Sequence, residues 1–423
     1  MNKLGIALSA ALTVTAMMPM TARDMKVTVP VEHDWWWNAP EKPSMTVLVT
    51  DTLGTAGNSN LRFTLATDRE PSRYLADFTQ TVNVAAGDTA YITIMPPIAD
   101  PGFYTVTLWD DGVEAAKVNI GYEPENVVSL PDYQPDFNEF WAQALQELEA
   151  VAPEYRMTEL KEKSGKKRRI YLCEYLSLEG DTVKGYLAMP VKPGKYPAHI
   201  YYNGYGAGAW EFDADGRPDW IEFLQFGRGQ GLNTPYNRFG DWLQWNLNDP
   251  ATYYYKGAYM DCVRTIDFIE QLEKTDKNNI FAEGGSQGGA FTLAAAALDP
   301  KHRLKAIAPY VPFLSDFPDY FKVAHWPGQT YLAKAKELGM SEDQLYRNLS
   351  YFDIKNLARR INIPVLMGVG LQDPTCPPHI NFSSFNLIDS DKEFVIYPEC
   401  GHTVIYEDWN PRRENFFKKY LKD

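Results

Sequence analysis

The sequence predicts an α/β protein, a mostly parallel sheet with helices on both faces, preceded by an all-β sandwich of immunoglobulin type. Three observations carry that prediction. Between about residues 24 and 121, seven short segments rich in β-branched and aromatic residues are separated by turn signals. From about residue 131 onward, strand-like apolar runs alternate with helical ones, as crossover connections in a parallel sheet require. Within that second region the apolar run Ile280-Phe281-Ala282-Glu283 stops at Gly284-Gly285-Ser286-Gln287-Gly288-Gly289. It turns at once into the helix-favouring Ala290-Phe291-Thr292-Leu293-Ala294-Ala295-Ala296-Ala297-Leu298.

A chain of 423 residues exceeds what one core usually serves. Two domains are therefore expected: the sandwich over 24–121 and a catalytic domain over 122–423. Apolar residues at 45% and charged residues at 23% are a globular composition, which excludes a disordered chain. A net charge of -14 argues against nucleic acid or an anionic membrane as partner, because most of the surface would repel a polyanion. A neutral small molecule fits better. Met1-Asn2-Lys3 followed by the apolar stretch to Met18 has the layout of a secretory signal over 1–22, too short for a stable membrane span. A secreted or periplasmic protein is the expectation.

Taken in order, the sandwich strands are read at 25–29, 44–49, 61–65, 79–84, 90–94, 103–109 and 117–120, with turns at Ala86-Gly87-Asp88, Asp100-Pro101-Gly102 and Asp110-Asp111-Gly112. Between the first two lies Trp35-Trp36-Trp37. Successive residues of an extended chain point to opposite sides, so three tryptophans cannot share one core. One ring therefore serves either as a stacking platform for sugars or as packing against the second domain, and packing is the simpler expectation. Glu123-Pro124-Glu125 reads as the linker, and 137–150 as an amphipathic helix carrying Phe140, Trp141, Leu145 and Leu148 on one face. Strands follow at 169–175, 183–189, 198–202, 306–308, 365–369 and 394–397, with helices at 255–272, 287–298 and 412–421. The helical, aromatic-containing stretch 316–348 is not needed by the sheet and reads as a cap.

Gly284-x-Ser286-x-Gly288 between a strand and a helix is the pattern of a nucleophile elbow. The serine occupies a strained turn, and the flanking glycines let strand, turn and helix pass closely. Four histidines follow it: His302, His325, His379 and His402. His402, in Cys400-Gly401-His402 just past a strand, is placed for base duty at the carboxyl edge of a sheet. His379, after Pro377-Pro378, is the reserve. Asp373 follows the strand 365–369 in the same manner. The order Ser286, Asp373, His402 is that of the α/β hydrolases. It suits acyl transfer, with His402 taking the serine proton and Asp373 fixing the imidazole tautomer. Of the four cysteines, Cys376 and Cys400 lie near these residues; a disulfide between them and buried free thiols are both open, the thiols being the expectation.

Arg228-Gly229-Gln230-Gly231, the doubled-glycine elbow Gly284 to Gly289, Asp373-Pro374-Thr375-Cys376-Pro377-Pro378 and the tract Asp249 to Tyr255 running on to Asp261 and Arg264 carry a resemblance. Over residues 131–423 the chain resembles the acetyl xylan esterases and cephalosporin-C deacetylases of carbohydrate esterase family 7. The resemblance implies deacetylation of short oligosaccharides and other small acetyl esters by a serine triad without metal or cofactor. It also implies an oxyanion hole from the backbone amides of Tyr205 and Gln287, a structural role for Arg228, and a homo-oligomer, commonly a hexamer. The chain departs from the family at Thr403, where glutamate usually follows the histidine. A serine hydrolase of another type, such as a peptidase, and an inactive glycan-binding protein stay open as alternatives.

Overall fold

The computed structural model describes residues 25–422. The expected signal segment, 1–22, lies outside the described residues.

Alternating polarity builds the first part of the chain into eight strands: β1 (Met25–Thr28), β2 (Trp36–Trp37), β3 (Met45–Asp51), β4 (Gly57–Thr67), β5 (Tyr74–Val84), β6 (Thr89–Ile94), β7 (Gly102–Asp110) and β8 (Val113–Tyr122). They form a three-stranded sheet, β1-β3-β6, and a five-stranded sheet, β2-β8-β7-β4-β5. In β3, Met45, Val47 and Val49 are buried while Thr46, Leu48 and Thr50 are only half-buried. A slip of one residue would exchange those sets, so the pairing register is fixed.

The strand additional to the seven expected is β2, in which Trp36 and Trp37 pair in parallel with Gly121 and Tyr122. Trp35 and Trp37 turn into the sandwich core. Trp36 faces the rest of the molecule, its ring centroid 5.2 Å from that of Phe382 and 5.4 Å from that of Phe394. Period-two geometry separates only Trp36 from Trp37; Trp35 ends a single 3-10 turn, His33–Trp35, that carries its ring into the core, and Trp36 packs at the junction. Gly121 makes room for it: a Cβ there would lie 2.9 Å from the Trp36 ring. The apolar cluster of the sandwich runs on without a break into Met367, Val369, Leu371, Phe382 and Phe385.

The remaining strands are β9 (Arg156–Glu159), β10 (Arg168–Leu176), β11 (Thr182–Pro190), β12 (Tyr196–Tyr202), β13 (Ile221–Gln225), β14 (Thr275–Gly285), β15 (Leu304–Tyr310), β16 (Val365–Gly370) and β17 (Lys392–Tyr397). They make one nine-stranded sheet in the order β17-β16-β15-β14-β12-β13-β11-β10-β9. Six strands from β13 to β17 run parallel, and β9 to β11 are antiparallel. Strand β9, not anticipated from the sequence, is a short, largely exposed edge with no apolar alternation to announce it.

Helices cover both faces. Ile280 and Ala282 of β14 point to the side of α1 (Phe137–Glu149), α2 (Tyr254–Gln271) and α3 (Gln287–Leu298), while Phe281 points to α9 (Tyr406–Lys419). All twelve residues of α3 are buried, which explains a helix that is apolar all round. Helix α9 begins at Tyr406 rather than at Arg412, where the sequence places it. The buried Trp409, stacked edge-on to Tyr310 at 5.8 Å, holds the extra turn in spite of Pro411. The predicted cap consists of α4 (Phe317–Val323), α5 (Gly328–Glu337) and α6 (Glu342–Leu349); α7 (Ile354–Leu357) and α8 (Pro378–Phe385) follow before β17.

Candidate active site

Strand β14 is buried from Asn279 to Gly285 and delivers the chain to Ser286, which has φ 56° and ψ -122°. Such a backbone costs a non-glycine residue about 1–3 kcal/mol and persists only where its surroundings over-determine it. Here the Ser286 N–H donates to the Tyr310 carbonyl at 3.1 Å, and the Ser286 carbonyl accepts from Ala290 and Phe313, each at 3.1 Å. The two motif glycines are packing requirements. A Cβ at Gly284 would sit 2.4 Å from the Gly288 carbonyl oxygen, and one at Gly288 would sit 2.0 Å from that of Tyr202.

The Ser286 Oγ lies 2.8 Å from His402 Nε2, and His402 Nδ1 lies 2.7 Å from Asp373 Oδ2. Asp373 is 1% exposed, and its other oxygen, Oδ1, accepts N–H groups from Thr375 at 2.8 Å and Cys376 at 2.9 Å. The carboxylate is therefore aimed at the imidazole, and a histidine so held can accept a proton from the serine. Asp373 and His402 arrive on the loops after β16 and β17, which are neighbours in the sheet. The loops approach closely enough that a Cβ at Gly370 would meet the Gly401 carbonyl oxygen at 2.0 Å.

Gln287 is the first residue of α3 and fully buried, so its N–H lies at the positive end of the helix dipole. Gly204, just before Tyr205, abuts the elbow: a Cβ there would lie 3.6 Å from the Gly285 carbonyl. The loop is fixed by Gln230, whose Oε1 accepts the Gly206 N–H at 2.8 Å. Gln230 in turn donates to the Tyr254 hydroxyl at 2.7 Å, and that hydroxyl donates to the Arg228 carbonyl at 2.9 Å. Gly229 adopts φ +69°, and a Cβ there would lie 2.8 Å from Asn237 Oδ1.

The Arg228 side chain points away from this loop. Its Nε and Nη2 donate to Asp261 at 2.8 and 2.6 Å, and Nη1 to Asp181 at 2.9 Å. Burial pushes the Asp261 carboxyl up, against the opposing pull of the guanidinium. Arg228→Ala leaves that carboxyl buried and unpaired, and is expected to cost about 3–5 kcal/mol of stability. Urea denaturation measures it; a loss below about 1 kcal/mol would remove the structural assignment.

Sequence reasoning did not single out several residues at the site. Gln372, next to Asp373, accepts the Asn119 N–H of β8 at 2.7 Å and donates to the Asn119 carbonyl at 3.1 Å and the Pro398 carbonyl at 2.8 Å. The sandwich thereby grips the acid loop. The Tyr205 ring meets Trp242 at 5.0 Å and Trp326 of the cap at 5.7 Å. Nothing local marks these contacts, which join segments far apart in the chain.

His379, the reserve base, is not at the serine. Its Nδ1 lies 2.9 Å from Asp68 of the sandwich and its Nε2 3.2 Å from Asp319 of the cap. Burial pulls the imidazolium pKa down, but the two carboxylates outweigh it and hold it at about 9. Asp319, which also meets Arg69 and Lys322, is held below the usual carboxylate range, first by its hydrogen bond to His379. A folded-state pKa above the unfolded value near 6.5 means that the clasp stabilises fully below that pH and is lost as pH rises through about 9. Asp68→Asn should flatten the fall in urea midpoint between pH 7 and 9 that the unaltered protein shows.

All four cysteines are free. Cys376 lies beside the site, its Sγ 3.6 Å from the Tyr320 hydroxyl, and burial pushes its thiol well up, so it is a neutral neighbour rather than a competing thiolate. Donor atoms of Asp373, Cys376 and His402, and separately of Asp316, Asp319 and His379, lie within 4.8 Å of one another. Either group could gather around a metal ion only by giving up the hydrogen bonds described. Among the described residues no helix is long and apolar enough to cross a membrane.

The fold and the serine at its elbow define an α/β hydrolase. A family model described as acetyl xylan esterase matches residues 125–420, and the chain belongs to that family of carboxylic-ester hydrolases. An acetyl esterase, Axe7A, of Xylanibacter ruminicola is 27% identical over 96% of this chain and 92% of its own length. The acetyl xylan esterase structure from Paenibacillus sp. R4 is 30% identical with a TM-score of 0.65, over 71% of this chain and 99% of that one. Acetyl xylan esterase 1 from Thermoanaerobacterium sp. JW/SL YS485 shares the fold at a TM-score of 0.64 and 24% identity, over 71% and 98%.

Proposed function

We propose that this chain is a secreted serine esterase that removes acetyl groups from acetylated xylo-oligosaccharides and similar small acetyl esters. The observation that carries the mechanism is the unbroken chain of hydrogen bonds from Ser286 through His402 to Asp373. In this reading His402 takes the Ser286 proton as Oγ attacks the acetyl carbonyl, and Asp373 stabilises the imidazolium that forms. The tetrahedral oxyanion is held by the amides of Gln287 and Tyr205. His402 then gives its proton to the departing sugar hydroxyl, leaving an acetyl-enzyme. A water molecule, deprotonated by the same histidine, attacks that ester, and acetate leaves as Ser286 regains its proton.

Secretion rests on the signal-like layout of residues 1–22. The division into a sandwich over 24–121 and a catalytic domain over 122–423, and assembly into a homo-oligomer, belong to the same proposal. The test is acetate release from acetylated xylo-oligosaccharide set against cleavage of peptide anilides. Acetate release without peptide cleavage is expected; peptide turnover without acetate would replace the esterase by a peptidase.

A further inference from the structure

The sandwich does more than lean on the hydrolase sheet. Between it, the cap and the acid loop lies a cavity of about 530 Å³, within the range of small-molecule sites. Thr105, Lys117 and Asn119 of β7 and β8 form one side, Lys322 and His325 of the cap another, and Pro374 beside Asp373 the third. We propose that this cavity is a glycan subsite, holding a pyranose residue of the acetylated oligosaccharide some distance from the ester being cleaved. The inference rests on the esterase reading and adds to it a binding role for the sandwich.

Three observations point that way. The first is continuity with the reaction centre. Pro374 follows Asp373 directly, and His325 precedes Trp326, a residue 36% exposed whose ring meets Tyr205 at 5.7 Å. Gln372, Asp373 and Pro374 all line the cavity, so its wall is the loop that carries the acid next to the serine and histidine. The second is a free donor. The Lys117 side chain is exposed and has no partner among the described residues, whereas Lys322 across from it is paired with Asp319 at 2.7 Å. An ammonium group offers three hydrogen-bond donors and no acceptor, which matches the hydroxyl oxygens of a pyranose. The third is a rigid wall. Asn119 is tied to Gln372 and Leu371 through its backbone and its amide, and Thr105 donates to Asn119 Oδ1 at 2.9 Å, so Lys117 projects from a fixed strand. Thr105, Lys117 and Asn119 all precede residue 125, where the family match begins.

The experiment compares Lys117→Ala and Lys117→Trp with the unaltered protein on acetylated xylotetraose and on 4-nitrophenyl acetate. Alanine removes the donor and tryptophan fills the space. The expected result is a fall of about tenfold in the ratio of kcat/KM for the tetraose to that for the small ester, carried by KM, as for loss of one charged hydrogen bond. A ratio unchanged in both variants, or a loss shared equally by both substrates, overturns the subsite. Calorimetric titration with deacetylated xylotetraose gives a readout independent of turnover. Weakened binding in Lys117→Ala supports the subsite even if the ester chemistry has been misread, and unchanged binding removes it. Failure of the unaltered protein to hydrolyse either ester would strike the esterase reading instead.

Discussion

Ser286→Ala is expected to lower kcat on a small acetyl ester by about 10⁴- to 10⁶-fold, the scale on which a serine nucleophile's loss is felt. The substitution removes one oxygen and little else. The strained backbone at φ 56° is held by three backbone hydrogen bonds that alanine keeps, so the thermal midpoint should move by no more than about 2 °C. His402 loses its Nε2 partner but keeps Asp373 on Nδ1, and the glycine contacts of the elbow are unaltered. Acetate release under steady-state conditions measures the effect. Residual activity within about tenfold of the unaltered protein would show that Ser286 is not the nucleophile.

Asp373→Asn should lower kcat by about 10⁴-fold with little change in KM, and the reason lies in which atoms face which. Oδ1 of Asp373 accepts two backbone N–H groups, from Thr375 and Cys376, and an asparagine oxygen can take over that task. Its amide nitrogen is then forced to the Oδ2 position, 2.7 Å from His402 Nδ1. A donor there requires Nδ1 to be an acceptor, which puts the imidazole proton on Nε2, facing Ser286. The base is then in the wrong tautomer to take the serine proton. Shape, volume and loop hydrogen bonds survive, so denaturation midpoints should change little while turnover collapses. A fall of less than about tenfold in kcat would mean that Asp373 does not set the tautomer.

Much of this was legible in the chain itself. Gly284 and Gly288 bracket a serine between an apolar run and an alanine-rich run, the strand-to-helix context a nucleophile elbow requires. Asp373 and His402 could be paired with Ser286 because each follows its own strand, and parallel sheets bring the carboxyl ends of strands to one edge. Local polarity likewise gave the sandwich strands, since a sheet with one buried face must alternate. Among the elements the sequence did not announce are β2, β9 and the first turn of α9, whose stability comes from neighbours rather than from their own pattern.

What residue order could determine, then, was what depends on near neighbours: most of the strands and helices, the glycines a tight elbow demands, and the chain order of the proposed nucleophile, acid and base. Only the tertiary structure decided where the distant partners meet. It sent His379 to a clasp between Asp68 and Asp319 rather than to the serine, set Gln372 against Asn119, and turned Trp36 onto Phe382 and Phe394. Each of these joins segments separated by 60 to 358 residues of chain. Contacts of that kind are selected by the packing of whole sheets and the pairing of buried charge, and leave no periodic trace in the residues that make them.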